Sequence, residues 1–250
     1  MTNATPTSAP GVQERAENLQ RALRAIAAKQ APAALASSLG AEDMVLTDAI
    51  LRTGLAIEIF TLDTGRLHPE TLGVLERVRE RYGYDIRVYR PDAAAVQRYV
   101  SELGLDAIYR SVELRRRCCE IRKVEPLGRA LSGKSAWVTG LRRAQSVTRA
   151  DLPFQEFEPA HGLWKFNPLV EWSERDVWDY LRSWDVPYNA LHDRGFRSIG
   201  CAPCTRPIAA GEDLRAGRWW WENPESKECG LHKRPTDTAP ATTTEQRQHS

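Results

Sequence analysis

Three short apolar segments, each followed by a polar turn, constrain the fold of this 250-residue chain most strongly. They cover residues 33–37, 57–62 and 135–140, and helical patterns follow the first two turns. Strands that alternate with helices predict an α/β fold, with a mainly parallel sheet flanked by helices. Ligands of such sheets bind beyond the carboxyl ends of the strands, so we expect the three turns at one shared edge.

Further segments continue the same alternation. Helical patterns are predicted at residues 12–29, 93–103 and 174–184, in addition to residues 72–82 after the second turn, and Ser173 is the predicted cap of the last helix. Additional short strands are predicted at residues 85–89 and 165–169. The chain therefore supplies enough strands and helices for one layered domain.

Composition favours a single soluble domain between disordered ends. Residues 1–11 predict a disordered leader, residues 12–232 one domain with a flexible segment at about 219–232, and residues 233–250 a disordered tail. The net charge of +2 lacks the basic excess of a nucleic-acid-binding protein, and no apolar run could span a membrane. Without a secretory signal the expected location is cytoplasmic, with neither nucleic acid nor membrane as partner.

The five cysteines divide into two pairs and one isolated residue. One pair is Cys118-Cys119 and the other is Cys201-Ala202-Pro203-Cys204. In the cytoplasm, clustered thiols indicate metal binding or catalysis more often than disulfides. Adjacent thiols on a helix point about 100° apart, which suits the corners of an iron–sulfur cluster better than one zinc ion. The pattern predicts such a cluster, with buried structural cysteines as the alternative.

Basic residues surround the adjacent cysteine pair. Arg115-Arg116-Arg117 precedes it, and Arg122 and Lys123 follow it. Their positive charge could offset the negative charge of a cluster with thiolate ligands. For Arg115 and Arg116, an exposed helix face is an equally good interpretation.

The isolated cysteine, Cys229, lies in the polar segment Glu228-Cys229-Gly230-Leu231-His232. Glycine frees the backbone there, and histidine or nearby arginines would favour the thiolate. We interpret Cys229 as a nucleophile on a flexible tail that folds over a bound substrate. Sequence spacing alone favours the alternative of a free surface thiol.

Taken together, these cysteines resemble those of the assimilatory sulfonucleotide reductases. The narrower resemblance is to the adenosine 5'-phosphosulfate (APS) reductases that carry a [4Fe-4S] cluster. Residues 62–66 and 137–143 are similar to motifs of the same family. The resemblance implies an adenine nucleotide alpha hydrolase fold, also called PP-loop-like. It also implies that the four paired cysteines bind the [4Fe-4S] cluster.

The resemblance further implies a mechanism. Cys229 would attack the sulfur of the phosphosulfate, release AMP and form an S-sulfocysteine, which thioredoxin or a similar dithiol would reduce to release sulfite. Sulfite would then enter cysteine biosynthesis. The implied substrate-binding residues are Ser37, Ser38 and Gly40 in a phosphate-binding loop, Leu62 and Gly140 in an adenosine pocket, and Lys123, Arg149, Arg215, Arg218 and His232 near the reacting groups. Arg215 and Arg218, three residues apart, are expected on one helical face.

Relatives often carry a loop rich in serine and glycine after the first strand, whereas this loop contains Leu39, which offers no polar group.

One alternative substrate is 3'-phosphoadenosine 5'-phosphosulfate (PAPS), alone or together with APS. A sulfur-transferring ATP pyrophosphatase acting on tRNA would require a Ser-Gly-Gly loop and more basic charge. A zinc-stapled nucleic-acid-binding module would leave Cys229 unexplained. Assembly into a homo-oligomer stays open.

Overall fold

The computed structural model describes residues 10–146 and 149–223, together with Lys227 and Leu231. Its helices are α1 Pro10–Lys29, α2 Ala41–Arg52, α3 Pro69–Tyr82, α4 Ala93–Leu103, α5 Val112–Cys119, α6 Glu125–Leu131 and α7 Glu174–Ser183. Its strands are β1 Ala33–Ala36, β2 Ile57–Leu62, β3 Arg87–Tyr89, β4 Ala136–Val138, β5 Gln155–Glu158 and β6 Leu163–Phe166. The predicted nucleophile Cys229, His232 and the tail 233–250 lie outside the described residues, as does most of the predicted leader.

The strands form one sheet in the order β3-β2-β1-β4-β6-β5. Every neighbouring pair is parallel except β5 and β6, which are antiparallel. The predicted α/β fold with a mainly parallel sheet is therefore confirmed. Strand β5 was not predicted, because its four residues QEFE lie at the sheet edge with alternate side chains exposed and form no apolar run.

The chain reverses its direction of travel across the sheet at β1. It first adds β2 and β3 on one side of β1 and then crosses back to place β4 on the other. In open α/β sheets such a switch leaves a crevice at the carboxyl ends of the strands. The turns after β1, β2 and β4 all line one cavity at that edge, which confirms the expected convergence.

Apolar side chains cover both faces of the sheet. Leu23 of α1, Met44 and Leu46 of α2 and Val177 of α7 belong to the larger core cluster, together with the strand residue Ile59. In a smaller core cluster, apolar side chains of α6 pack against residues of strands β1, β2 and β4. Burial of both faces is what a parallel sheet requires, and it fixes the strand ends that carry the turns.

A buried carboxylate connects three of these helices. Asp48 of α2 is fully buried and accepts hydrogen bonds from the hydroxyl of Tyr82, at 2.9 Å, and from that of Tyr180, at 2.6 Å. Arg52 pairs with the same carboxylate at 3.3 Å. A buried charge is tolerated only when it is paired and hydrogen-bonded, as here, so Asp48 ties α3 and α7 to α2.

Helix and strand ends follow local chemistry. Ser173 caps α7 as predicted, and the reciprocal hydrogen bonds with Asp176 form a capping box. Helix α3 begins at Pro69, earlier than predicted, because proline suits the first turn of a helix. The last strand ends at Phe166 rather than residue 169, since the Asn167 side chain binds the Thr139 hydroxyl and the Pro153 carbonyl.

Within the described part of the chain, no helix is both long enough and apolar enough to cross a membrane.

Candidate active site

A cavity of about 230 Å³, here called the strand-end cavity, lies beyond β1, β2 and β4. The predicted substrate-binding residues that line it are Ser37, Ser38, Gly40, Leu62, Lys123, Gly140, Arg149, Arg215 and Arg218. His232 completes the predicted set but lies outside the described residues. The structure thus brings together side chains from segments far apart in the sequence. Their individual roles stay predictions.

The loop after β1 explains the presence of Leu39. This residue adopts a left-handed conformation, with φ of 61°, and its side chain is fully buried in the larger core cluster. A left-handed conformation costs a non-glycine residue roughly 1–2 kcal/mol, which burial of a leucine side chain offsets. The lack of a polar group at Leu39 therefore takes nothing from the cavity. Ser37, Ser38 and Gly40 supply the loop's contribution to the lining.

Asp43 is a site residue that the sequence analysis missed. It lies in the first turn of α2, lines the strand-end cavity and accepts hydrogen bonds from the Ser38 N–H at 2.7 Å and the Ser38 hydroxyl at 2.6 Å. Burial raises its pKa to about 6, although the bonds from Ser38 act in the opposite direction. The sequence signal was an aspartate directly after the turn, but only the fold shows that it holds Ser38.

Gly140 allows β4 and α2 to approach each other closely. A Cβ atom at this position would collide with the Asp43 carboxylate and lie 2.9 Å from Cβ of Glu42. Glu42 also accepts two hydrogen bonds, at 2.9 and 2.7 Å, from the buried guanidinium of Arg142. These contacts fix the turn after β4 against the N-terminus of α2.

The raised pKa of Asp43 predicts a pH-dependent stability. Because the folded protein holds this proton more tightly than the unfolded chain does, the contribution of Asp43 to the free energy of unfolding should fall as pH rises from about 4 to about 6. An asparagine side chain cannot ionise, so the variant Asp43→Asn should lack this component, which is about 3 kcal/mol for a shift from 3.8 to about 6. Urea unfolding of both proteins across this pH range measures it. Parallel pH profiles for the two proteins would contradict the assignment.

Two arginines of the cavity, Arg215 and Arg218, donate to backbone carbonyl groups. Arg215 donates to the carbonyl of Lys227 at 2.9 Å, and Arg218 donates to that of Ile199 at 3.3 Å. The expectation that both lie on one helical face was wrong. They lie in a turn, closed by the Arg218 N–H and the Arg215 carbonyl at 2.9 Å, yet both line the cavity. Arg149 donates to the side chain of Gln145.

The paired cysteines line a second, smaller cavity, here called the cysteine cavity. Within the described part of the chain, Cys118, Cys119, Cys201 and Cys204 are buried free thiols. The cationic residues Arg66, Arg115, Arg122 and Lys123 line the same cavity. Among the residues that the structure describes, no three His, Cys, Asp or Glu side chains converge as they would around a single metal ion. The four thiols surround a common space instead.

The helix that carries the adjacent pair changes its winding directly after it. Helix α5 ends at Cys119, and a π-helical turn over Glu120–Val124 leads into α6. Such turns, in which the hydrogen bond spans five residues, occur frequently at functional sites. Here Arg122 donates to the Thr64 carbonyl at 2.7 Å, while Lys123 lines both cavities.

The two members of the spaced pair differ in their electrostatic environment. For Cys201, burial acts to raise the pKa of the thiol, but Lys123, a hydrogen bond with Thr64 and two arginines outweigh it, so that the pKa is lowered. The Thr64 hydroxyl lies 3.2 Å from the Cys201 sulfur. For Cys204, burial is dominant and raises the pKa to about 11. Positive charge thus stabilises a thiolate first at Cys201.

Arg115 is fully buried, so the interpretation as an exposed helix face was wrong for this residue, whereas Arg116 is exposed. The Arg115 guanidinium forms a bidentate ion pair with Glu222, at 2.9 and 2.7 Å. It also forms a hydrogen bond with Cys119. The residue therefore connects the cysteine pair to the segment that leads toward Cys229.

Trp219 lies between the two cavities and lines both. Its backbone is left-handed, with φ of 41°, and its ring is almost fully buried. Among the residues that the structure describes, its indole N–H finds no hydrogen-bond acceptor. A buried donor without a partner is costly, which indicates that an acceptor belongs beside it.

The sheet, its switch point and the loop before α2 define a PP-loop-like nucleotide-binding fold. The PAPS reductase from Candida auris, solved as a phosphate complex, superposes with a TM-score of 0.66 at 25% identity, covering 81% of this chain and 100% of that chain. Yeast FAD synthetase shares the fold at a TM-score of 0.55 and 15% identity, over 79% of this chain and 67% of that one.

Sequence comparison gives the family. The model of the phosphoadenosine phosphosulfate reductase domain matches residues 32–207. A relative named adenosine 5'-phosphosulfate reductase from Burkholderia cepacia is 58% identical over 93% of both chains. One of the same name from Allochromatium vinosum is 62% identical over 80% of this chain and 78% of its own. The chain belongs to the sulfonucleotide reductase family, which confirms the resemblance seen in the cysteine pattern.

Proposed function

We propose that the chain is a thioredoxin-dependent adenosine 5'-phosphosulfate reductase of assimilatory sulfate reduction. The reaction would convert APS to sulfite and AMP through an S-sulfocysteine on Cys229. One observation carries the proposal: a strand-end cavity lined by cations and by the loop after β1 adjoins a cavity of four thiols, and Lys123 and Trp219 line both. The names of similar relatives point to the same substrate.

In this proposal the strand-end cavity binds the sulfonucleotide. The adenosine lies against Leu62 and Gly140, where strand ends supply backbone groups and apolar surface. The backbone N–H groups at the N-terminus of α2, whose N-cap Gly40 supplies no side-chain hydrogen bond, would favour an anion, and the loop at Ser37 and Ser38, held by Asp43, lies beside them. Arg149, Arg215, Arg218 and Lys123 would bind the phosphate and sulfate oxygens.

The chemical step is an attack by the Cys229 thiolate on the sulfate sulfur. A sulfur–sulfur bond forms, the bond from that sulfur to the bridging oxygen breaks, and AMP leaves with the electron pair. Cations around the bridging oxygen would stabilise the charge that develops on the leaving group. A dithiol such as thioredoxin then supplies two electrons, becomes a disulfide, releases sulfite and restores the Cys229 thiol.

Two described residues of the tail support the approach of Cys229 to the cavity. Lys227, two positions before Cys229, accepts a hydrogen bond from Arg215 through its carbonyl. Leu231, two positions after Cys229, lines the strand-end cavity and packs against the smaller core cluster. A residue on each side of the proposed nucleophile therefore contacts the wall of the proposed substrate site.

The residues of the cysteine cavity fit a [4Fe-4S] cluster. Thiolates are its usual ligands, and Cys118, Cys119, Cys201 and Cys204 would bind it. The cations of the cavity would balance its negative charge, and the indole N–H of Trp219, which finds no acceptor among the described residues, would find a sulfur acceptor. When bound, the cluster would supply a fixed charge beside the substrate site. Lys123, shared by both cavities, would be held in place by it.

A second substrate, PAPS, is the alternative that the structural likeness to a PAPS reductase favours. One experiment separates the cases. Anaerobically purified protein is mixed with APS, with PAPS or with AMP, without reductant, and peptide mass spectrometry detects added SO₃ on Cys229. We expect one SO₃ with APS only, and AMP is the control. An adduct with both sulfonucleotides would widen the substrate range, whereas none from the cluster-loaded protein would contradict the proposal.

A further inference from the structure

The buried ion pair between Arg115 and Glu222 joins the helix of the adjacent cysteines to the segment that precedes the proposed nucleophile. Arg115 lies on α5, one turn before Cys119, and Glu222 lies in the segment that leads to Cys229. Both side chains are almost completely buried, at 0% and 3% exposure. The geometry is bidentate, which fixes the orientation of both groups as well as their distance.

The same guanidinium holds the residues that precede Glu222. Its carbon lies 4.5 Å from the centre of the Trp219 ring, and that of Arg218 lies 4.6 Å from the same centre. The Glu222 N–H donates to the Trp219 carbonyl at 2.8 Å, which closes a turn. Trp219 keeps its left-handed backbone only because its surroundings hold it there. The turn at 219–222 is therefore built around Arg115.

We propose that the Arg115–Glu222 ion pair anchors the base of the tail and positions Cys229 for attack on the bound substrate. The inference rests on the proposed function, because it requires Cys229 to be the nucleophile. Arg115 touches neither substrate nor reacting atoms, so it is a positioning residue. Through its hydrogen bond with Cys119, it also ties the position of the tail to the cysteine pair.

An anchor of this kind raises the rate by keeping the nucleophile near its target. A nucleophile held in near-attack geometry reacts much faster than one that samples many positions, and a misplacement of about 1 Å can cost up to about 100-fold in rate. Glu222 is seven positions before Cys229, whereas Arg218 and Trp219 are the preceding residues held in the cavity wall. Release of Glu222 would let the turn at 219–222 shift, and with it the direction in which the chain runs on to Lys227 and Cys229, without removing any group that binds nucleotide.

The matched control breaks a second ion pair of α5, formed with Glu102 of α4. Arg117 pairs with Glu102 at 3.1 Å, but both side chains are about half exposed, at 51% and 53%. Glu102 lines neither cavity. The variant Glu102→Gln therefore removes an arginine–glutamate pair from α5 without changing the base of the tail.

The test compares the wild-type protein, Glu222→Gln and Glu102→Gln, all loaded with the cluster. For Glu222→Gln we expect formation of the Cys229 adduct at saturating APS to slow at least about tenfold. AMP affinity, the APS concentration at half-maximal rate and the visible spectrum should stay unchanged. Hydrogen exchange should quicken in peptides covering 219–227 but not in those covering α1. Glu222→Asp keeps the charge, so its rate of adduct formation should lie between those of Glu222→Gln and the wild type. Glu102→Gln should react at the wild-type rate.

Other outcomes would overturn the inference. Equal adduct rates and equal exchange at 219–227 in Glu222→Gln and the wild type would show that the ion pair anchors nothing. Loss of the cluster or of AMP affinity in Glu222→Gln would show that the ion pair supports the two cavities and does not act by positioning Cys229. If Glu222→Gln does not fold, the same measurements on Glu222→Asp decide between these outcomes. Failure of the wild-type protein to form the adduct would refute the proposed function itself.

Discussion

Replacing Cys229 by serine is expected to abolish turnover, with a loss of at least about 10⁴-fold, while AMP affinity stays at the wild-type value. A serine hydroxyl is almost un-ionised at neutral pH, whereas attack on sulfur requires a soft anionic nucleophile. Apart from His232, the residues assigned to substrate binding belong to other segments, and the substitution removes only one sulfur atom from the tail, so the cavity should remain intact. Sulfite and AMP release measure turnover, and equilibrium binding of AMP measures affinity.

Two controls accompany this substitution, namely the visible spectrum of the variant and a second replacement at the same position. Cys229→Ser should keep the visible absorption of the loaded enzyme, because the proposed cluster ligands are the four paired cysteines, all of which this variant retains. Cys229→Ala should behave like Cys229→Ser, since neither side chain supplies a thiolate. A variant that loses colour or AMP affinity would argue against a purely nucleophilic role.

The second large effect is expected from Cys201→Ser, which should remove the cluster and lower turnover by at least about 100-fold. Cys201 is buried, and its segment is fixed by the hydrogen bond from the Ala202 N–H to the Arg66 carbonyl at 2.8 Å. A serine oxygen is a much harder ligand than a thiolate, and iron–sulfur clusters select thiolates. Iron and sulfide content per chain, together with visible absorption, measures the loss.

Thr64→Val is the matched control for Cys201→Ser. It removes the hydroxyl 3.2 Å from the Cys201 sulfur but leaves all four thiols in place. This variant should retain iron and sulfide at the wild-type ratio, with at most a shifted spectrum. An unchanged spectrum and iron content in Cys201→Ser would rule out this residue as a cluster ligand.

Much of the fold was predictable because its signals are local. The strand Ile57–Leu62 and the helix Ala93–Leu103 were predicted with their observed bounds, since apolar periodicity and flanking turns define each within a short window. The edge strand Gln155–Glu158 was missed because its alternate side chains are exposed and it contains no apolar run. Where burial is partial, the pattern that marks a strand fades.

The site residues show the same difference between local signals, which were predictable, and long-range contacts, which were not. The cavity-lining serines, glycines and cations could be named from motifs, because each motif is contiguous in the sequence. Arg115 could not be placed, since its burial depends on Glu222, 107 residues away. Asp43 was missed for a similar reason, because its pKa is raised by burial and the turn at the distant Gly140 packs directly against it. Long-range pairs decide burial, and periodicity on one helix does not reveal them.

The π-helical turn over Glu120–Val124 has a consequence for the mechanics of the molecule. The turn rotates α6 about the helix axis relative to α5. The continuous helical stretch therefore directs cysteines into the cysteine cavity at one end, and Leu127 and Leu131 toward the sheet at the other. One end thus packs against the segment of Cys201 and Cys204, and the other packs against the sheet. Residues of this one stretch line both cavities, Cys118 and Cys119 the cysteine cavity and Leu127 the strand-end cavity, so a rotation of the stretch about its axis would displace both linings together.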